Sequence, residues 1–176
     1  TSGSMRGDKM DNMRTSAEDF VSKMGDDDTI SIIAFSSEPV LLVDNAQVGD
    51  SRDKIMNGIS NLEAVGDTTL FDAIGDGATQ IAASQSLDAS NVLVVLTDGQ
   101  DTRSYRYAFN QELVDLARAN ETAVFTIAYG YDADEDTLLA LANAANGNYY
   151  LGDEASIDAI YEEMSAAFGG SVGVGR

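Results

Sequence analysis

The sequence contains one continuous apolar run, residues 91–96 (NVLVVL), that stops abruptly at Thr97, Asp98 and Gly99. A short run of this kind, rich in β-branched residues, is typical of a strand buried on both faces of a parallel sheet. Parallel strands need long crossover connections, which are usually helical. The run therefore predicts an α/β fold in which strands alternate with helices.

The rest of the chain shows that alternation. Apolar residues at helical spacing predict helices at 8–24, 51–62 with Ser51 as its cap, 70–86, 109–120, 135–145 and 157–168. Apolar and β-branched segments predict further strands at 29–36, 40–43, 123–129 and 149–151. A short link through Glu38 and Pro39 joins the first pair, so residues 40–43 should form an antiparallel edge strand. We expect a doubly wound, mostly parallel sheet flanked by helices.

Length and composition indicate a single folded domain. The chain has 176 residues, of which 44% are hydrophobic and 23% charged, which is ordinary for a globular protein. We assign residues 1–168 to the domain and the glycine-rich residues 169–176 to a flexible linker. Because the chain begins at Thr1, we expect it to be processed, excised or incomplete at its N-terminus.

Charge and missing residue types exclude several function classes. Ten Lys and Arg against thirty Asp and Glu give a net charge of −20, which repels nucleic acid phosphates and anionic lipid headgroups. The apolar run is far shorter than the ~20 residues that cross a bilayer. The chain has no cysteine and no histidine, so thiolate metal sites, thiol nucleophiles and the usual general base are missing. We therefore expect no nucleic acid partner, no membrane insertion and no enzymatic activity.

Three segments rich in hydroxyls and carboxylates should meet at the carboxyl edge of the sheet. They are residues 1–4, 66–69 and 97–99, each next to a predicted helix start or strand end. Hydroxyl and carboxylate oxygens suit a hard cation such as Mg²⁺. Each segment also has a simpler explanation, since short hydroxylated residues cap helices and Asp-Gly forms turns.

Three motifs, in this order, give the pattern a family resemblance: Thr-Ser-Gly-Ser-Met at residues 1–5, Gly-Asp-Thr-Thr-Leu-Phe-Asp-Ala-Ile at 66–74 and Leu-Thr-Asp-Gly at 96–99. The sequence resembles the von Willebrand factor type A family over nearly its whole length. The resemblance implies a metal-ion-dependent adhesion site (MIDAS) whose ligands by position are Ser2, Ser4, Thr68 and Asp98. Mg²⁺ is the expected ion, with Mn²⁺ or Ca²⁺ as alternatives.

The sequence departs from the family pattern at two places. The family's leading aspartate would stand immediately before Thr1, and its first, central strand would lie upstream as well. We therefore expect a gap in the middle of the sheet, filled by an upstream segment, a bound fragment or a strand from another chain, because unpaired strand edges are costly. Asp67 replaces the family's usual glycine, and we expect it to face solvent.

The resemblance implies a protein-binding module for adhesion or complex assembly, in which a partner's Asp or Glu completes the coordination of the metal. Loops such as 100–107 would set selectivity, and the expected location is extracellular or in the cell envelope. One alternative is an assembly subunit with a vestigial metal site that binds partners through strand complementation. A Mg²⁺-dependent phosphoryl-transfer enzyme is less favoured, because the sequence lacks a glycine-rich Walker loop with its lysine.

Overall fold

The computed structural model describes residues 7–63, 66–84, 90–130, 132–153 and 155–169. The helices are α1 (Asp8–Lys23), α2 (Val48–Ser60), α3 (Leu70–Ala83), α4 (Gln111–Ala117), α5 (Glu135–Ala144) and α6 (Ile157–Gly169). The strands are β1 (Thr29–Phe35), β2 (Pro39–Gln47), β3 (Val92–Thr97), β4 (Ala123–Tyr129) and β5 (Tyr149–Gly152). The predicted α/β class is confirmed.

The strands form two sheets. β3, β4 and β5 pair in parallel in that order, and β1 pairs with β2 antiparallel, so the predicted antiparallel edge strand is confirmed. Among the described residues, no strand pairing joins the two sheets, and β1 and β3 each have one hydrogen-bonded neighbour. The predicted interruption of the sheet therefore lies between β1 and β3.

Strand β3 is less buried than its sequence indicates. Val92, Leu93, Val94 and Leu96 are only partly buried, whereas six of the seven residues of β4 are buried. The reason is position, since β4 lies between two strands while β3 is the edge of its sheet. The prediction that residues 91–96 are buried on both faces is therefore wrong for β3 in this chain and fits its neighbour β4.

Helices cover both faces of the strands. On one face, Phe125, Ile127 and Tyr129 of β4 share a core with residues of α1, α2 and α6. On the other face, Val124 and Ala128 pack with residues of α3, α4 and α5. Helix α3 contacts β1, β2 and β3, so it connects the two sheets and begins at the edge where the candidate site lies. None of the helices in the described ranges is both long and apolar enough to cross a membrane.

Two predicted boundaries are wrong for a shared reason. β2 continues to Gln47, and α2 starts directly after it at Val48 rather than at a Ser51 cap. The end of β2 pairs with Thr29 after a register irregularity near Asn45, which has a φ of 41°. Such an irregularity interrupts the alternation of apolar residues, so the pattern hides the last part of the strand. The predicted domain limit at 168 and the linker at 169–176 stay predictions.

Candidate metal and partner site

Two of the four predicted metal ligands, Thr68 and Asp98, lie in the described part of the chain, while Ser2 and Ser4 lie outside it. Thr68 precedes α3 and is 5% exposed; Asp98 follows β3 and is 2% exposed. A Cβ built on Gly99 would lie 3.4 Å from the Thr68 hydroxyl oxygen. The structure therefore packs the predicted threonine against the turn that carries the predicted aspartate.

Local hydrogen bonds shape that turn. The Thr97 hydroxyl accepts a hydrogen bond from the Gly99 backbone N–H at 3.2 Å and lies 2.9 Å from the Gly99 carbonyl. The Thr68 carbonyl accepts from the backbone N–H groups of Thr102 and Arg103 at 2.9 and 3.2 Å. The Thr68 N–H in turn donates to the Thr102 hydroxyl at 3.1 Å. The segment before α3 and the segment after β3 are thus fastened to each other by their backbones.

Residues 100–107, which we name the rim loop, are anchored to α3 by two acidic side chains. Asp101 accepts hydrogen bonds from the backbone N–H of Phe71 at 3.2 Å and from the Ser104 hydroxyl at 2.5 Å. Asp72 is fully buried, and its carboxylate accepts from three successive backbone N–H groups at 3.0 to 3.3 Å, those of Tyr105, Arg106 and Tyr107. The backbone of the rim loop is therefore held in one conformation.

Several side chains of the rim loop are exposed, whereas Tyr107 packs against α3 and the core beneath it. The Tyr105 side chain is 76% exposed, and the Arg106 guanidinium carbon lies 6.0 Å from its ring centroid. Arg106 also forms a two-pronged ion pair with Asp76 at 2.6 and 2.8 Å, and that hydrogen-bonded pairing raises the pKa of the guanidinium. An ordered loop with an exposed aromatic ring is suited to protein contacts.

Basic side chains are placed at this edge of an otherwise acidic protein. The Lys9 ammonium lies 3.9 Å from a carboxylate oxygen of Asp98, and the Arg103 guanidinium lies 2.8 Å from Asp67. Asp67 is exposed, as expected for this departure from the family pattern, and it also forms an ion pair. Among the described residues, Arg106 also lies at this edge, where it pairs with Asp72 and Asp76 of α3.

The described residues fit a hard divalent cation. Thr68 and Asp98 supply a hydroxyl and a carboxylate, which are the oxygen ligands such ions prefer. The Lys9 ammonium close to Asp98 shows that a positive charge is accommodated at this carboxylate. Among the described residues, no group of three or more Asp and Glu side chains could hold a metal ion, so hydroxyl oxygens would have to complete the ligand set.

Sequence reasoning missed Asp72 and Lys9. Asp72 lies in the first turn of a helix whose other buried residues are apolar or glycine, and an acidic residue on such a face was the available signal. Lys9 gave no signal, because a single lysine belongs to no motif and its contact with Asp98 spans 89 residues of chain.

Comparison with known sequences decides the family. The sequence pattern of the von Willebrand factor type A domain matches residues 1–163. The chain belongs to the von Willebrand factor type A family. An uncharacterized protein of Synechocystis sp., sll0103, is 28% identical to this von Willebrand factor type A domain over 150 residues. The alignment covers 84% of this chain but 34% of that relative, so the chain spans about a third of the relative's length.

Solved structures share the fold at low sequence identity. A von Willebrand factor type A protein from Catenulispora acidiphila has a TM-score of 0.82 at 19% identity, covering 94% of this chain and 40% of its own. Proximal thread matrix protein 1 from the mussel byssus, with a zinc-occupied MIDAS motif, has a TM-score of 0.73 at 15% identity, covering 89% and 40%. The pilus adhesin SpaC from Lactobacillus rhamnosus GG has a TM-score of 0.75 at 13% identity, covering 95% and 28%. This von Willebrand factor type A domain is therefore similar in fold to domains that form part of larger proteins.

Proposed function

We propose that this von Willebrand factor type A domain is a divalent-cation-dependent protein-binding module that serves adhesion or complex assembly. Ser2, Ser4, Thr68 and Asp98 would hold the ion, together with the aspartate that the family pattern places immediately before residue 1. The proposed ion is Mg²⁺, with Mn²⁺ or Ca²⁺ as alternatives. An Asp or Glu of a partner protein would complete the coordination.

The observation that carries the proposal is the packing of Thr68 against the Asp98–Gly99 turn, with both side chains buried. Thr68 and Asp98 are far apart in sequence. If Thr68 served only as a helix cap and Asp98 only as part of a turn, the two residues would have no reason to lie close together. The structure gives Thr68 no capping role among the described contacts, since the N-cap of α3 is Thr69 and its side chain makes no cap hydrogen bond. The capping explanation for Thr68 therefore loses support.

The position of α1 supports a contribution from residues 2 and 4. Lys9 lies in the first turn of α1, and its ammonium reaches Asp98. The start of this helix is therefore at the same edge of the sheet as Thr68 and Asp98. Residues 2 and 4 stand six and four positions before Asp8 in the sequence, so we propose that their hydroxyls contribute to this site, where the family pattern needs its two serines.

Similar structures support a metal-dependent interaction role and, in general terms, the proposed setting. The mussel byssus protein has a zinc-occupied MIDAS motif, and SpaC is a pilus adhesin. We extend from them a metal-dependent interaction role, and we propose an extracellular or cell-envelope location. We propose no enzymatic activity for this domain, because the sequence has neither histidine nor cysteine and domains of this family are generally interaction modules.

The rim loop would select the partner. Its backbone is held by Asp72 and Asp101, the Arg103 backbone N–H donates to the Thr68 carbonyl, and the Arg103 and Tyr105 side chains are exposed. An acidic partner group could exchange with Asp67 at the Arg103 guanidinium, and Tyr105 would supply apolar contact area. Exposed ion pairs such as Asp67–Arg103 are worth only ~0–1 kcal/mol, so such an exchange is energetically accessible.

A second candidate function rests on the interruption between β1 and β3. Both strands have one hydrogen-bonded neighbour among the described residues, and four apolar residues of β3, all except Val95, are only partly buried. A strand from an upstream segment, a bound fragment or another chain would pair with both edges. In an assembly subunit of this kind, partner capture would depend on that strand, and the metal site would be vestigial.

Metal-dependent thermal stability of the full-length protein tests the proposal. An ion at about 100 times its Kd stabilises the native state by ~2.7 kcal/mol, and we expect Mn²⁺ to raise Tm of the wild type accordingly. Asp98→Ala should remain folded and lose this increase. Asp115→Ala is the matched control, because Asp115 is a half-exposed carboxylate paired with Arg118 on α4.

Two outcomes would contradict the proposal. An undiminished Mn²⁺ effect in Asp98→Ala would show that the ion binds elsewhere. If Mn²⁺ does not change the Tm of the wild type, and partner capture persists in the presence of a chelator, the assembly subunit is favoured instead.

A further inference from the structure

Among the described residues, Lys9 is the one basic residue that forms an ion pair with Asp98. The two charged groups are 3.9 Å apart, and their exposures differ greatly, 34% for the Lys9 side chain and 1% for that of Asp98. A carboxylate removed from water is strongly stabilised by a nearby positive charge. Lys9 therefore supplies charge compensation at the carboxylate that the metal ion would also bind.

The end of β4 accommodates the ammonium. A Cβ built on Gly130 would lie 3.3 Å from the Lys9 nitrogen, and Gly130 has a φ of +96° that side-chain-bearing residues rarely adopt. The backbone there is fixed, since the Gly130 N–H donates to the Gly152 carbonyl at 2.8 Å. The Lys9 side chain thus lies against the backbone of Gly130 at the carboxyl ends of β3 and β4, where a larger residue at position 130 would come too close to the ammonium.

We propose that Lys9 is a tethered, exchangeable counter-cation that competes with the divalent ion for Asp98 and so sets the ion affinity of the site. This inference rests on the proposed function, because it concerns the regulation of that same site. When the ion binds, two positive groups face one carboxylate, and the ammonium either withdraws into solvent or repels the ion. Both responses weaken ion binding relative to a site without Lys9.

The geometry makes withdrawal feasible. A third of the Lys9 side chain is exposed, and a lysine stem has four flexible carbons that let the ammonium move to water. The other ion pairs at this edge involve Asp67 and Asp76, which hold Arg103 and Arg106 away from Asp98. Among the described residues, Lys9 is therefore the basic side chain whose ion pair with Asp98 an incoming ion would disturb directly.

Titration calorimetry of the full-length protein with Mn²⁺ alone tests the inference. We expect Lys9→Met to bind Mn²⁺ about tenfold more tightly than the wild type, as a unit charge about 4 Å away at a partly exposed position supports. Without Mn²⁺, Tm of Lys9→Met should fall, because the ion pair between the Lys9 ammonium and the Asp98 carboxylate is lost. Lys9→Gln removes the same charge while keeping a polar end, and should behave alike.

Lys23→Met is the matched control. Lys23 ends the same helix and pairs with Asp19 and Glu162 at 2.6 and 3.2 Å, so its removal changes the net charge equally. Its Mn²⁺ affinity should stay within about twofold of the wild type, because long-range charge is screened by salt.

Three results would overturn the inference. Equal Mn²⁺ affinity in the wild type and both Lys9 variants would show no competition. Equally tighter binding in Lys23→Met would assign the effect to overall charge. If neither the wild type nor any variant binds Mn²⁺, both the proposed function and the role of Lys9 are wrong. If the wild type binds Mn²⁺ and the Lys9 variants bind it equally well, only the role of Lys9 is wrong.

Discussion

Asp72 carries a negative charge at a fully buried position, and replacing it with asparagine tests how the rim loop is held. One carboxylate oxygen accepts the backbone N–H groups of Arg106 and Tyr107, both at 3.0 Å. The other accepts the Tyr105 N–H at 3.3 Å and lies 3.5 Å from the Arg106 guanidinium. Asparagine keeps the first oxygen but presents an amide N–H₂ group to two donors.

The expected cost follows from those contacts. A hydrogen bond to a charged group contributes ~1.5–3 kcal/mol, and a buried donor left unsatisfied costs ~1–3 kcal/mol. Asp72→Asn loses one such bond, weakens two others by removing the charge, and releases a partly exposed ion pair. We expect a loss of about 2–4 kcal/mol in the free energy of unfolding, which a domain of ~5–15 kcal/mol survives.

Urea denaturation followed by circular dichroism measures this loss, and Asp76→Asn is the matched control. Asp76 lies one turn further along α3 and pairs with the same arginine, but its side chain is 30% exposed. A partly exposed pair contributes ~1 kcal/mol or less. If Asp72→Asn costs no more than Asp76→Asn, the carboxylate does not hold the rim loop, and the reasoning is wrong.

Two further predictions concern the sheet. Gly147→Ala should lower the free energy of unfolding by more than ~3 kcal/mol or prevent folding, because its Cβ would lie 1.8 Å from the Val124 carbonyl oxygen. The measurement is Tm. Gly25→Ala is the control, because the nearest contact of its Cβ would be at 3.4 Å. Burial and the hydrogen bond to Glu135 raise the pKa of Tyr149 to about 12, so the neutral phenol stabilises the fold below about pH 10 and this contribution is lost as the pH rises towards 12. Tyr149→Phe should therefore lose stability less steeply than the wild type in urea titrations across that range, and an identical alkaline profile would refute this.

The positions of strands β3 and β4 were predictable from the sequence, whereas the neighbours of each strand in the sheet were not. Residues 123–129 were predicted as a strand and form β4 with the same bounds, because an uninterrupted apolar run has few alternatives. Residues 91–96 were predicted equally well as a strand, but their burial was not, since burial depends on which neighbour lies at each edge. Apolar patterning reports the environment a strand is suited to, and β3 in this chain meets only part of it.

The site was predictable where it follows local motifs. Thr68 and Asp98 were identified from short motifs, and the structure places the threonine against the aspartate's turn; the roles of Ser2, Ser4, Thr68 and Asp98 as ligands stay predictions. Asp72 was not identified, because its role is defined by backbone donors more than thirty residues away. A side chain that serves distant backbone has no periodic or motif signal in a single sequence.

The anchoring of the rim loop has a kinetic consequence for any partner. A segment whose backbone is already fixed by Asp72 and Asp101 gives up little conformational freedom when another protein docks on it. Related partners would then meet the same rigid template at similar rates and differ mainly in how long they stay, so their affinities would be ranked by residence time.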